Sequence, residues 1–376
     1  MRRLEAVVAI AVKDWTRFVR QPFLMVIGVA IPLVFILFYS LIVPVSNNNP
    51  IMVADLDGGP GSARLIEAMR TIRSDEGPYY DVLTTDPDVA LRAFDGGGAL
   101  AVVVIPEGFS AAAADGGAQV ELRLNNINSD YSKNLRLRLD HAVRALNEEL
   151  AGPVMTVEET RWLPHDPTML GYISTSLLLF GCLYAAMVNT GLQVAAEWND
   201  RTVKNLLLAP AGRGALVAGK ILAGLGQSLV SLCLVLAVLV VGFGFKPTGD
   251  LLGMVGIVVA TLLMGSGIGA AFGVASKKSL ATASALIALA IAFFLVSGNE
   301  ESMRGLAWGQ PITALWQLSR ALPTTYAFMS ARSILFTGDT SDLAVNLTIV
   351  LASTAVIFAA AAGLLRRALS HLNGGQ

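Results

Sequence analysis

The chain has 376 residues, of which 54% are hydrophobic and only 15% charged, with a mean hydropathy of +0.61. A soluble domain carries roughly 25% charged residues; here the deficit is gathered into long uncharged runs, which excludes an ordinary water-soluble globule. The net charge of −1 hides a division: residues 44–168 hold 19 Asp/Glu against 10 Lys/Arg, and the rest of the chain holds 9 against 17.

Residues 1–20 open the chain with Leu4, Val7, Val8, Ala11, Trp15 and Phe18 at helical spacing, while Arg3, Lys13, Arg17 and Arg20 lie mainly on the other side of the wheel. This pattern predicts an amphipathic helix in a cytosolic membrane interface. A membrane-crossing helix needs about 20 apolar residues, because the hydrocarbon core is roughly 30 Å thick and a helix rises about 1.5 Å per residue. The first such run, Phe23–Val43 within residues 21–43, is longer than a signal-peptide core, and Pro44-Val45-Ser46 is a poor cleavage site.

Residues 44–168 alternate between strand and helix signals. Strands are expected at Pro50–Asp55, Tyr80–Thr84, Leu100–Ile105 and Val120–Leu124. Helices are expected at Ser62–Ile72, with Ser62 as N-cap, at Pro87–Phe94 with Asp86 ahead of it, and at Ser132–Leu150. The alternation reads as an α/β domain inserted after the first span.

Residues 169–376 hold five further apolar runs, Met169–Ala195, Ile221–Phe245, Leu251–Ala275, Ser279–Gly298 and Leu343–Leu365. The fold class expected is therefore an α-helical membrane protein with six transmembrane helices and one α/β extracytoplasmic domain. Orientation follows from the Lys and Arg residues in the short flanks. The N-terminus, the 196–220 loop, Lys277-Lys278 and Arg366-Arg367 are basic, and an even span count puts all four on one side, which is then cytosolic. The 299–342 segment falls on the other side, where Trp308, Trp316 and Tyr326 suit an interfacial aromatic belt.

No catalytic constellation appears: the three histidines are scattered, and Cys182 and Cys233 both sit in apolar runs. Gly214 to Lys220 satisfies part of a P-loop, but Ile221 stands where the Mg²⁺-binding Ser/Thr belongs. No metal or cofactor is expected on this chain. The spans, as bounded here, contain no Asp, Glu, Lys or Arg, which argues against a proton-coupled transporter. Their uncharged polar residues include Asn189 and Gln193, one helical turn apart, and Gln227 and Ser228. Amides in lipid need partners, so these four residues either join helices or line a substrate path.

The stretch from Glu197 to Arg213 is the most informative. Its charged start, Glu197, Asp200, Arg201 and Thr202, leads into an apolar segment with Leu206 and Leu207, closed by Pro210 and Gly212. Such a helix either docks its apolar face in a groove on a soluble partner or forms a solvated loop.

This pattern resembles the loop after the second span of ABC-2 type permeases, the membrane subunits of one class of ATP-binding-cassette exporter. Glu197, Asp200, Thr202, Leu206, Leu207, Pro210, Arg213 and Lys220 fall in place, and Arg201 stands where that family usually has Gly. Ala101–Phe109 and Leu322–Arg332, with Pro323, Tyr326 and Arg332, are similar to further segments of the subfamily with a large insertion after the first span. The resemblance implies a multi-pass protein of the bacterial cytoplasmic membrane with both termini in the cytosol. It further implies a second permease subunit, identical or paralogous, and cytosolic ABC ATPase subunits that carry the ATP and Mg²⁺. In those terms the 197–213 helix and the N-terminal helix would contact the ATPase. No nucleic-acid partner is expected. The alternatives are a membrane-anchored envelope binding or assembly protein that uses the α/β domain, and a secondary ion-coupled transporter.

Overall fold

A computed structural model describes residues 2–48, 50–74, 77–95, 99, 101–115, 117–124, 130–151, 169–203, 212–246, 249–300 and 311–373. The chain divides into two units, residues 1–39 with 161–376, and residues 40–160. Helix α1 (Arg2–Arg20) is followed by α2 (Pro22–Asn48), and the two are bent by 65°. The break falls at Gln21, which precedes a proline and so disfavours the helical region.

The 40–160 unit is an α/β layer. Strand β1 (Pro50–Asp55) leads through α3 (Pro60–Thr71) and a two-residue pair, β2 (Arg73–Ser74) with β3 (Gly77–Pro78), to β4 (Asp81–Thr84). Then follow α4 (Pro87–Asp95), β5 (Ala101–Ile105), α5 (Phe109–Ala114), β6 (Glu121–Leu124) and α6 (Asp130–Ala151). The sheet order is β4-β1-β5-β6, with β4 and β5 parallel to β1 and β6 antiparallel to β5. Period-two alternation splits the core. Ile51, Val53, Val103 and Ile105 pack with Leu65 and Met69 of α3 and Leu135 and Leu139 of α6, while Ala54, Val102 and Val104 pack with Ala90 of α4. All five residues of β5 are buried, as expected of a strand covered on both faces.

Ser62 does not cap α3. The helix begins two residues earlier, with Gly59 at the cap and Pro60 inside the first turn, where its missing N–H costs nothing. Ser62 is buried instead, and its Oγ donates to Asp55 Oδ2 and to the Gly59 carbonyl, both at 3.0 Å. Asp86 does act at the start of α4, accepting from the N–H groups of Asp88 (2.9 Å) and Val89 (3.1 Å).

The other unit is helical. Besides α1 and the start of α2 it contains α7 (Met169–Asn199), α8 (Gly212–Ala237), α9 (Leu251–Ser276), α10 (Ser279–Ser297), α11 (Ile312–Ala321), α12 (Pro323–Arg332) and α13 (Leu343–Asn373). Among the described residues five helices are long and apolar enough to cross a membrane, or six if the bent α1–α2 pair counts as one span. The span expected at Phe23–Val43 falls within α2.

Helix α7 is the hub: nearly all of its apolar stretch is buried in the unit, whereas most of that of α13 is exposed. Glycines let α9 lie against α7. A Cβ on Gly265 would come 2.9 Å from the Leu183 carbonyl, and one on Gly273 would come 2.7 Å from the Gly191 carbonyl. Gly265 and Gly273 thus act within one chain as small residues that bring helix backbones together.

Candidate coupling site

Helix α1 carries two apolar stripes. Leu4, Val8, Val12, Trp15 and Val19 are exposed, while Ile10, Asp14 and Phe18, spaced by four, are buried. The buried stripe lies along α8. Gly219 makes the approach possible, since a Cβ there would sit 2.8 Å from Ile10 Cβ and 2.9 Å from the Val7 carbonyl.

An acid on a buried stripe needs a partner. Asp14 finds it in Lys220 of α8, whose Nζ lies 2.8 Å from Oδ2 and 3.0 Å from Oδ1. The same ammonium lies 2.5 Å from Glu197 Oε1 of α7, and Lys13 Nζ reaches that oxygen at 2.6 Å. The other Glu197 oxygen accepts from the Thr202 hydroxyl. The side chains of Lys220, Asp14 and Glu197 are 4%, 3% and 5% exposed, so this is a buried ion cluster of two cations and two anions, with only Lys13 reaching solvent. Arg17 adds an outer pair with Asp200 at 2.9 Å. Helix α1 is thereby tied to α7 and α8 at one point, the mouth of the 197–213 segment.

The C-terminal end of α7 is a Schellman turn. Thr202 N–H donates to the Glu197 carbonyl at 2.9 Å and Arg201 N–H to the Trp198 carbonyl at 3.2 Å. Arg201 has φ +58°, the left-handed conformation that glycine takes most readily. An arginine therefore holds a glycine-type turn and keeps Thr202 against Glu197.

From the ion cluster a polar seam runs up the α7–α8 interface. Gln193 Nε2 donates to Gln227 Oε1 at 2.6 Å, and Gln227 Nε2 donates to the Asp14 carbonyl at 3.2 Å. One turn further, Asn189 Nδ2 donates to Ser228 Oγ at 3.4 Å. Asn189, Gln193, Gln227 and Ser228 thus pair with one another across two helices. Asn189, Gln193 and Gln227 also border a cleft with Asp14 and Arg17. Leu206, Leu207 and Pro210 lie outside the described residues, as does the side chain of Arg213, whose backbone begins α8.

The absence of charge within the spans needs correction. Helix α7 continues to Asn199 and the apolar stretch of α8 starts at Gly214, so Glu197 and Lys220 belong to apolar helices and are buried there. Each neutralises the other, so the helix need not end where the first charge appears in the sequence.

A comparison with protein families decides the class: the model described as "ABC-2 family transporter protein" matches residues 22–362. The chain belongs to the ABC-2 transporter family. Membership makes it a multi-pass membrane component of an ABC transporter, associated with an ABC ATPase and the bilayer. A search for similar curated proteins finds no match.

This ABC-2 chain has a second polar knot at the other end of α7. Arg332 of α12 is buried, with its guanidinium carbon 4.0 Å from the centre of the Tyr172 ring. It donates to Ser176 Oγ at 2.9 Å and to the Gly298 carbonyl. Nearby, the Ser297 and Thr324 hydroxyls share a 2.6 Å hydrogen bond, and Asn346 Nδ2 donates to Ser330 Oγ at 3.0 Å. These bonds join α12 to α7, α10 and α13. Pro323 starts α12 and Arg332 ends it, so the expected Pro-x-x-Tyr…Arg segment is one short helix. Asp14 has a signal in the sequence beyond those read above: it lies four residues from both Ile10 and Phe18, on the helix stripe that is buried.

Proposed function

We propose that this chain is the permease subunit of an ABC exporter that moves an amphipathic or lipid-like compound out of the cytosol. In this reading α2 supplies the first of six spans, residues 44–168 form the extracytoplasmic domain, and both termini are cytosolic. A separate ATPase docks on the 197–213 segment and on α1, and a second permease subunit completes the path. The observation that carries the reading is the buried cluster of Asp14, Glu197 and Lys220. It joins α1 to the two helices that flank the docking segment, so a push on either docking element is delivered to α7 and α8 together. Packed helices shift between discrete arrangements rather than deforming smoothly, which suits them to transmit such a push.

Glu197, Asp200, Arg201, Thr202, Leu206, Leu207, Pro210 and Arg213 are the proposed docking and coupling residues. Asn189, Gln193, Gln227 and Ser228 are the proposed border of the substrate path. The test is reconstitution of the full chain with its ATPase in proteoliposomes. Vanadate-sensitive efflux, with ATP hydrolysis that loses its coupling when 204–211 are deleted, is the expected result. Hydrolysis and transport indifferent to that deletion would reject the docking assignment.

A further inference from the structure

The basic end of the helical unit contains a second cavity, which shares Glu197 and Lys220 with the coupling site but is otherwise lined by residues outside it. It is an open cleft between α7, α8, α9 and α13. Val194, Val217, Val274, Phe358, Ala362 and Leu365 give it apolar walls. Its polar edge is formed by Glu197 and Lys220, which neutralise each other, and by Trp198, whose Nε1–H is buried and has no acceptor among the described residues. Four cations stand at the helix ends beside it. Lys277 and Lys278 follow the lining Val274 by three and four residues, and Arg366 and Arg367 follow the lining Leu365 directly. All four are exposed, and none forms an ion pair among the described residues.

We infer that this cleft is a binding site for an anionic phospholipid of the leaflet that meets the basic end. One acyl chain lies between α13 and the α7–α8–α9 wall, and the phosphate sits among Lys277, Lys278, Arg366 and Arg367. The chemistry is complementary at both ends. The apolar walls of the slot suit a hydrocarbon chain. Exposed cations at a membrane surface attract anionic headgroups, and basic pockets between transmembrane helices are a recurring form of such sites. The ester oxygens of the same lipid supply an acceptor of the kind Trp198 lacks. A zwitterionic lipid would fill the slot equally well but would gain little from four cations, so the site selects by headgroup charge. A lipid seated there also covers the outer side of the Glu197–Lys220 pair and keeps water from it, which strengthens that pair.

The test is native mass spectrometry of the delipidated full chain, titrated with phosphatidylglycerol or with phosphatidylcholine of the same acyl chains. The expected result is one phosphatidylglycerol per chain, retained at activation energies that strip the rest, with at least tenfold preference over phosphatidylcholine. Ala362→Phe fills the slot and removes that tightly held lipid. Lys277→Gln, Lys278→Gln, Arg366→Gln and Arg367→Gln together, all at exposed positions, keep the slot but reduce the preference to twofold or less. Equal retention of both lipids by the unaltered chain would overturn the proposal, and so would a tight adduct that survives both variants unchanged. Neither result depends on ATPase docking, so the permease reading is tested separately.

Discussion

Lys220 of α8 and Glu197 of α7 meet at 2.5 Å with both side chains almost wholly removed from solvent. Asp14 of α1 completes the contact from the other side of the ammonium. Lys220 is the buried cation between two anions from two other helices, and Lys13, which also reaches Glu197, is half exposed.

Removing Lys220 should therefore be severe. Lys220→Met leaves two buried carboxylates with one surface lysine, and breaking a buried pair in this way costs about 3–5 kcal/mol. We expect a large fall in the thermal midpoint of the detergent-purified chain. The triple change Asp14→Asn, Glu197→Gln, Lys220→Met should recover most of it, since no buried charge remains and Lys13 can turn its ammonium to solvent. A single variant as stable as the parent would show that the cluster is open to water.

Arg201→Gly should stabilise the chain. The left-handed conformation costs a non-glycine residue about 1–2 kcal/mol, partly offset by about 0.4–1 kcal/mol of unfolded-state entropy that glycine adds. A net gain near 0.5 kcal/mol should appear as a small rise in thermal midpoint, and Arg201→Ala should show none.

The α7–α9 contact gives a paired prediction. Gly273→Leu would press a side chain into the Gly191 carbonyl and Val194, and overpacking of this kind costs roughly 1–3 kcal/mol. Gly256→Ala on the same helix meets nothing within 4 Å and should be tolerated. Monodisperse yield after size-exclusion chromatography separates the two.

In the 40–160 unit, Asp57 accepts from the Ser110 hydroxyl and from the backbone N–H of Gly59, and these hydrogen bonds hold its carboxyl below the ordinary range. A folded-state value below the unfolded one, about 3.9, contributes stability above that pH and loses it as the pH falls through the folded value. Pulse proteolysis of the full chain in urea should show this acid-side loss, and Ser110→Ala should flatten it. An identical pH profile in both chains would exclude the hydrogen bond as its cause.

Much of this architecture can be read along the chain. The spans and the α/β alternation are local patterns, so uncharged runs and period-two strands identify them. Asn189 and Gln193 are recognisable as one helix face from their spacing alone. Their partners are not, because the pairing with Ser228 and Gln227 depends on how α7 and α8 are rotated against each other. The true end of α7 is hidden for a related reason. Reading hydropathy stops a span at Glu197, whereas Lys220, 23 residues further on, neutralises that charge and lets the apolar helix continue. Gly59-Pro60 outcompetes Ser62 for the start of α3 because Asp55 and the Gly59 carbonyl, fixed by the strand end, draw the Ser62 hydroxyl inward.

The most direct test of the account is which side of the membrane each end of the chain meets. In a Cys182→Ala, Cys233→Ala background, Lys277→Cys and Asp88→Cys each place one exposed thiol, at the basic end of the helical unit and in the 40–160 unit respectively. In intact cells, a membrane-impermeant maleimide should label position 88 and leave position 277 unlabelled until the membrane is opened. Labelling of position 277 in intact cells would put the ion cluster out of reach of any cytosolic ATPase and contradict the proposed coupling.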